Sequence, residues 1–156
     1  GRSGLVARAF AQRLMHLGFE SYVIGETITP AFGRGDVLIA FSGSGETRSV
    51  VDACETAREI GGKICLVTST PDSHIGRMAD CIVEIGNDLL KDADIPHDFE
   101  IRQLTGQYRS VSGSFAPLGT LFETAALVFS DAIVSALMEV RHCTLDELKS
   151  RLANVQ

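Results

Sequence analysis

Hydrophobic residues recur at three- and four-residue steps near the start of the chain, which predicts an amphipathic helix. The apolar positions of this helix are Leu5, Val6, Ala9, Phe10, Leu14 and Leu17. Gly18 directly after them predicts the end of the helix, because glycine readily takes the left-handed backbone that closes one. Residues 21–24 then predict a short strand, and the glycine-rich residues 25–35 predict a loop.

The next part of the chain alternates between apolar runs and helical patterns. Residues 37–41 are a continuous apolar run, typical of a strand buried on both faces. The polar residues 42–47 follow at once, and a helix ended by Gly61 comes next. Residues 64–67 and 81–85 predict two more strands, with a short helix at 74–79 between them. Strands separated by helices predict an α/β fold, in which helices cover a parallel sheet.

The C-terminal part breaks this alternation. Residues 87–116 are polar, contain proline and glycine, and are longer than a usual connection, which predicts either a functional lid or, as we favour, a mobile insertion in the domain. Residues 118–139 have a helical pattern that is apolar on most sides, which predicts a helix packed against another subunit as well as against its own core. Charged residues such as Asp131 within it argue against a membrane span. Thr144 and Glu147 have the spacing of a capping box and predict a final helix.

Composition narrows the class of protein. The chain has 156 residues, 45% of them hydrophobic and 22% charged, which predicts a single globular domain over residues 1–156. A net charge of −6 excludes nucleic acid as the main partner, because binding phosphate backbones needs a basic face. The cysteines lack metal-site or redox-pair spacing and are interpreted as small buried residues in a reducing cytoplasm. They are Cys54, Cys65, Cys81 and Cys143.

The first four residues also carry information. Gly1 to Gly4 form a polar, turn-like sequence without an initial Met, of the kind that normally follows a strand. We interpret this as the loss of an N-terminal segment that contains a core strand. Because the tetrapeptide leads into a helix, it also predicts a second loop at the carboxyl end of a strand, where ligands of α/β sheets bind. Arg2 is a candidate there for pairing with a phosphate or a sugar hydroxyl, and solvation of a terminal arginine is the alternative.

The strongest candidate for chemistry is the phosphate loop, residues 42–47, with the sequence Ser-Gly-Ser-Gly-Glu-Thr. It lies between a buried strand and a helix, where free amides and the helix dipole favour an anion. Ser42, Ser44 and Thr47 add hydroxyl donors. The loop lacks the lysine of a nucleotide P-loop and the spacing of a dinucleotide motif, so it predicts a simple phosphate ester. An ordinary turn, with Ser44 or Thr47 as helix N-cap, is the alternative.

Two titratable residues further along are candidates for acid–base chemistry. Glu123 lies near the start of the apolar helix, where neighbouring hydrophobic side chains would desolvate its carboxylate and suit it to proton transfer. The alternative is that this glutamate stabilises the helix N-terminus. His142 lies between the last two helices and is a candidate general acid, although a structural or solvated role is equally consistent with its position.

These residues together resemble the 6-phospho-3-hexuloisomerases, a family of SIS (sugar isomerase) domains. The resemblance is carried by residues 1–4, 13–19, 25–27, 29–30, 42–47, 119–123 and 141–142, and it leaves out the segment around 87–116. It implies a five-stranded parallel sheet flanked by helices, a cytoplasmic homotetramer with active sites near subunit interfaces, and no metal or organic cofactor. It also implies the interconversion of D-arabino-hex-3-ulose 6-phosphate and D-fructose 6-phosphate in the ribulose monophosphate pathway of formaldehyde fixation.

The resemblance further implies roles for individual residues. Glu123 matches the family's Gly-Thr-x-Phe-Glu pattern and is implied as the base that forms a cis-enediolate. His142 matches an Arg-His pair and is implied as a proton shuttle, in its own or a neighbouring subunit. The implied substrate contacts are Ser3, Ser42, Ser44 and Thr47 to the phosphate, with Arg2 and Glu26 facing the sugar. Two alternatives stay open: an SIS isomerase of arabinose 5-phosphate or sedoheptulose 7-phosphate, and a non-catalytic phosphosugar sensor.

Overall fold

The helices and strands alternate along the chain as far as the third strand. The computed structural model describes residues 1–85, 120–152 and 154. The helices are α1 Arg2–His16, α2 Arg48–Ile60, α3 His74–Met78, α4 Thr120–Val140 and α5 Leu145–Ser150. The strands are β1 Val37–Phe41, β2 Lys63–Thr68 and β3 Cys81–Glu84. The predictions of an α/β fold and of these three strands and five helices are therefore confirmed.

The three strands form one parallel sheet in the order β1-β2-β3. Val37 pairs with Lys63, and Cys65 with Cys81. Because the strands are parallel and in sequence order, their carboxyl ends meet at one edge of the sheet, and the loops that follow β1 and β2 lie side by side there. That edge holds the phosphate loop.

Apolar side chains cover both faces of the sheet. On one face, Leu66 and Ile64 pack with Val51 and Cys54 of α2 and with Ile75 of α3. On the other face, two strand residues pack with side chains from α1 and α4. This second cluster contains Phe10, Leu17, Phe41, Val67, Ala126 and Val134, and the rings of Phe10 and Phe41 meet edge to face. Each face therefore has its own core. The expectation that residues 37–41 are buried on both faces is met only at Ala40 and Phe41, since Val37 is 57% and Ile39 36% exposed.

The predicted helix ends are also confirmed. Gly18 and Gly61 follow α1 and α2 with φ of 85° and 91°, the left-handed conformation that glycine takes without strain. At the start of α5, the Thr144 hydroxyl accepts from the Glu147 N–H, and the Glu147 carboxylate accepts from the Thr144 N–H. The predicted capping box is thus present.

A charged residue joins the edges of β2 and β3. Asp80 accepts from Lys63 Nζ and from the Ile64 N–H, each at 2.9 Å, and it also lies 3.3 Å from Arg58. These contacts, the Lys63 hydrogen bond above all, lower the pKa of the Asp80 carboxyl to about 2. The ionised carboxylate therefore contributes to holding the start of β3 beside β2.

Residues 21–24 are not a strand, contrary to the prediction. The Val23 carbonyl instead accepts from the Glu26 N–H and from the Thr29 hydroxyl, which fixes this segment as a turn. Tyr22 and Ile24 are exposed. A strand needs a neighbour to accept its backbone hydrogen bonds, and no described strand lies beside these residues. The predicted insertion at 87–116 lies outside the described residues.

Two further expectations meet mixed results. Among the cysteines, Cys54 is fully buried, and burial raises the pKa of its thiol to about 11. Cys81 is exposed, so the expectation that all four cysteines are buried is wrong.

The segment Leu121–Val140 is long and apolar enough to cross a membrane, with a mean hydropathy of 1.6. The buried core helix of a globular protein passes the same test. Ala126 and Val134 of this segment are buried in the second core cluster, whereas only 17% of its most apolar window is buried among the described residues.

Candidate functional site

The phosphate loop forms the connection between β1 and α2. At its base, the Ser42 side chain is 1% exposed, its Oγ accepts from the Gly45 N–H at 3.1 Å and it lies 3.2 Å from the Thr47 hydroxyl. At its tip, the Ser44 hydroxyl accepts from the Glu46 N–H. Ser42 therefore shapes the loop from within, whereas Ser44 lies at its more exposed tip.

The loop presents backbone donors that the rest of the described chain does not use. The N–H groups of Gly43, Ser44 and Thr47 have no hydrogen-bond partner within residues 1–85, 120–152 and 154. Thr47 has extended backbone angles and is the N-cap of α2, but its hydroxyl caps no amide of that helix. Unused amides at a helix N-terminus attract an anion through their partial positive charge. The geometry of the loop is that of an anion site.

Two close contacts fix the glycines of this loop. Gly45 has a φ of 65°, and a Cβ built on it would overlap Oγ of Ser73, the N-cap of α3. Gly43 lies against Phe122, since a Cβ built on it would be 3.3 Å from Cδ1 of that ring. Only glycine fits at position 45, because both the backbone angle and the space demand it.

Glu123 lies beside the loop, in the first turn of α4. Its Oε2 is 2.6 Å from Nη2 of Arg2, and the side chain is 17% exposed. Phe122, the preceding residue, is the side chain that packs on Gly43. The start of α1, the start of α4 and the phosphate loop therefore meet at one edge of the sheet. The structure thus brings together Arg2, Glu123 and the loop residues that were singled out separately in the sequence.

The remaining predicted site residues lie at varying distances from this point. Ser3 is in the first turn of α1, directly after Arg2. Glu26 forms an ion pair of 2.5 Å with Arg8, in the middle of α1. His142 lies two residues beyond the C-terminal end of α4, and the 17 helical steps from Glu123 to Val140 alone span about 26 Å at 1.5 Å per residue. Within one chain, His142 is therefore outside the cluster formed by Arg2, Glu123 and the loop.

Sequence reasoning missed the loop that follows β2. The Gly43 carbonyl accepts three hydrogen bonds from the last residue of β2 and the first residue of this loop: from the Thr68 hydroxyl at 3.0 Å, the Ser69 hydroxyl at 2.9 Å and the Ser69 N–H at 3.1 Å. Glu46 reaches the same region, since its carboxylate accepts from the His74 N–H. The available signal was the run Thr68 to Ser73, which is polar and follows a buried strand, as the phosphate loop does.

Other kinds of site have less support among the described residues. The described residues contain no group of three or more metal-ligating side chains that could hold an ion. Two cavities open on the surface. The first, of about 510 Å³, is lined by residues of α2 and α3. The second, of about 220 Å³, lies among α1, α4 and α5. Neither cavity includes Glu123 or the loop. The candidate site is therefore defined by hydrogen-bond donors and one carboxylate at the sheet edge.

Comparison with known proteins assigns this arrangement to a class. A model of the SIS domain matches residues 1–88, which contain the sheet and the phosphate loop. A structure of the Vibrio vulnificus NanR protein complexed with ManNAc-6P has the same fold, with a TM-score of 0.62 and 19% identity over 97% of this chain and 49% of that one. Residues 1–88 are therefore an SIS domain.

More similar proteins narrow the class. The 3-hexulose-6-phosphate isomerase of Bacillus subtilis is 36% identical over 100% of this chain and 76% of its own length. An uncharacterized protein of Aeropyrum pernix is 43% identical over 100% of this chain and 71% of its own. A Methanococcus jannaschii crystal structure, reported to infer a function of 3-hexulose-6-phosphate isomerase, has a TM-score of 0.78 and 31% identity over 100% of this chain and 75% of that one. The chain belongs to the 3-hexulose-6-phosphate isomerase family of SIS domains.

Proposed function

We propose that this protein interconverts D-arabino-hex-3-ulose 6-phosphate and D-fructose 6-phosphate, the reaction of the ribulose monophosphate pathway. The observation that carries the proposal is the position of Glu123. Its carboxylate lies beside Arg2, and its neighbour in sequence, Phe122, packs on Gly43 of the phosphate loop. One carboxylate near a phosphate site is what a carbonyl shift along a phosphosugar requires.

The phosphate loop anchors the substrate in this proposal. The ester oxygens accept from the unused N–H groups of Gly43, Ser44 and Thr47, with the hydroxyls of Ser3, Ser44 and Thr47 as further donors. Ser42 acts through the loop, since its own hydroxyl is buried and already bonded to Gly45. Fixing the ester fixes C2 and C3 of the sugar relative to Glu123, which lowers the barrier by positioning.

Glu123 moves the proton between the two carbons. Its carboxylate takes the proton from C2 of the 3-ketose, the electron pair of that bond forms the C2–C3 double bond, and the C3 oxygen becomes an enediolate oxygen. Return of the proton to C3, with transfer of the O2 hydroxyl proton to O3, gives the 2-ketose. Arg2 provides positive charge beside the carboxylate and the sugar, and Glu26 is proposed to face the sugar as well.

An assembly of several chains is part of the proposal. Leu121 and Val128, seven positions apart and therefore on one side of α4, are 47% and 65% exposed, which is a high exposure for aliphatic side chains on a core helix. We propose that another copy covers this face in a homotetramer and that His142 serves a neighbouring subunit, because its own Glu123 is too far away. Light scattering of the wild type and of Val128→Glu tests this: the variant should be smaller in mass, whereas Thr56→Glu on α2 should not. Equal masses for the wild type and Val128→Glu would contradict the role of this face.

The finer features of the fold also stay proposals. A sheet of five strands requires partners beyond the three described, and β1 has a described neighbour on one side only. We propose that further strands extend the sheet beyond β1 within a single domain. The four free thiols are consistent with a reducing, cytoplasmic location.

The direct test is turnover. The chain is incubated with D-arabino-hex-3-ulose 6-phosphate, and the appearance of D-fructose 6-phosphate is followed, with arabinose 5-phosphate and sedoheptulose 7-phosphate as parallel substrates. Conversion of the 3-hexulose ester at the highest kcat/KM supports the proposal. Turnover of another ester in its place assigns a different SIS isomerase, and binding without turnover of any of them assigns a sensor.

A further inference from the structure

The loop that follows β2 holds the phosphate loop through one carbonyl group. The Gly43 oxygen accepts from the Thr68 hydroxyl, the Ser69 hydroxyl and the Ser69 N–H, all within 3.1 Å. A carbonyl oxygen has two lone pairs, so three donors leave no capacity for another partner. We call these two donor residues, Thr68 and Ser69, the carbonyl clamp.

The clamp determines where the next amide points. The peptide bond between Gly43 and Ser44 is trans, since the described residues contain no cis peptide. In a trans peptide the C=O and the following N–H point in opposite directions. Because the Gly43 oxygen is directed at Ser69, the Ser44 N–H is directed away from the β2 loop. It is one of the amides with no partner among the described residues.

The clamp is itself held in place. Thr68 is fully buried, and its hydroxyl also accepts from the Thr70 N–H at 3.0 Å. Phe122, adjacent to Glu123 in sequence, also packs on Gly43: a Cβ built there would lie 3.3 Å from the Phe122 ring and 3.6 Å from the Ser69 hydroxyl. Gly43 is thus in contact with both the clamp and the helix that carries the carboxylate.

We propose that Ser69, together with Thr68, is a positioning residue for phosphate: it fixes the Gly43 peptide so that the Ser44 amide is aimed at the ester before substrate binds. This inference rests on the proposed function of the phosphate loop and extends it to residues outside that loop. Neither residue touches the reacting carbons, so the effect is on affinity for phosphate and phosphate esters, with the chemical step unaffected.

The test compares Ser69→Ala with Ser69→Thr, which keeps the hydroxyl. Inorganic phosphate and D-fructose 6-phosphate are titrated into each protein, and binding is followed by calorimetry and by the amide resonance of Ser44. In Ser69→Ala, loss of one neutral hydrogen bond should weaken both affinities about fivefold and raise KM by a similar factor, with kcat within about twofold of the wild type. Ser69→Thr should bind as the wild type does.

A matched control is Ser135→Ala, because the Ser135 hydroxyl also donates to a backbone carbonyl, that of Asp131 on α4. It should leave phosphate affinity unchanged. If Ser69→Ala binds phosphate as tightly as the wild type does, or if Ser135→Ala loses as much phosphate affinity as Ser69→Ala, the role of the carbonyl clamp is wrong, while the proposed phosphate loop is unaffected. A Ser44 amide resonance that phosphate does not move in the wild type would overturn the phosphate loop as well, and so separates failure of the proposed function from failure of this inference.

Discussion

Arg2 Nη2 and Glu123 Oε2 lie 2.6 Å apart, although 121 positions separate the two residues in sequence. The pair joins the first turn of α1 to the first turn of α4, and the two side chains differ in environment: Arg2 is 57% exposed and Glu123 only 17%. The pair therefore places a largely buried carboxylate directly beside a cation that solvent reaches.

Glu123→Gln removes the carboxylate and keeps the shape of the side chain. We expect kcat to fall by about 10³-fold, the scale of a lost general base, while D-fructose 6-phosphate binds within about threefold of the wild type. Steady-state kinetics and calorimetry measure the two quantities. Glu59→Gln, on the exposed face of α2, is the control and should behave as the wild type. Comparable turnover in the two variants would remove Glu123 from the mechanism.

Arg2→Gln tests the partner of that carboxylate. We expect kcat/KM to fall about tenfold, and the double variant with Glu123→Gln to be no worse than Glu123→Gln alone, because the two act as one unit. Thermal unfolding of the same four proteins should give a coupling free energy of about 1 kcal/mol or less, since the arginine is mostly exposed. Additive losses in kcat/KM would show that Arg2 acts independently of Glu123.

Gly45→Ala tests the steric demand on the phosphate loop. Residue 45 has a positive φ, and the new Cβ would overlap the Ser73 hydroxyl. We therefore expect a loss of about 3 kcal/mol in the free energy of unfolding and weaker phosphate binding. Gly35→Ala is a matched control, because Gly35 also has positive φ but has open space around its Cβ position. It should cost about 1 kcal/mol and leave phosphate binding intact. Equal effects in the two variants would show that backbone strain alone matters.

The pH dependence of stability should reflect Asp80. Its pKa is lowered to about 2 in the folded chain, so the unfolded chain binds the proton more readily. The stabilisation is present above pH about 4 and is lost as pH falls towards 2. In urea unfolding between pH 5 and pH 2, we expect Asp80→Asn to be less stable at pH 5 and to show a flatter pH profile. Parallel profiles would assign the acid sensitivity to other carboxyls.

Local patterns in the sequence predicted most of the fold. The period of α1, its end at Gly18 and the capping box of Thr144 depend on residues within a few positions of one another, so each pattern carries its own evidence. The strand expected at 21–24 failed for the opposite reason. Strand formation depends on a neighbour that is distant in sequence, and the turn at Val23 satisfies the backbone there instead.

The candidate site shows the same division. Residues 42–47 were recognisable because strand, polar loop and helix are consecutive, and Glu123 because a carboxylate stands out in an apolar helix. The Thr68 and Ser69 contacts to Gly43 were not predictable, since they join residues 25 and 26 positions apart. The pairing of Arg2 with Glu123 depends likewise on how α1 and α4 pack. Sequence thus indicated most of the chemical groups, and the tertiary structure determined which of them meet.

Helix α4 has Glu123 in its first turn and the exposed side chains of Leu121 and Val128 on one side. If copies of the chain associate through that side, the helix that positions the carboxylate is also the helix that the neighbouring subunit holds in place. Specific activity per chain would then depend on enzyme concentration, falling on dilution as subunits separate and recovering on reconcentration. The orientation of one carboxylate would in this way be a property of the assembly as much as of the monomer.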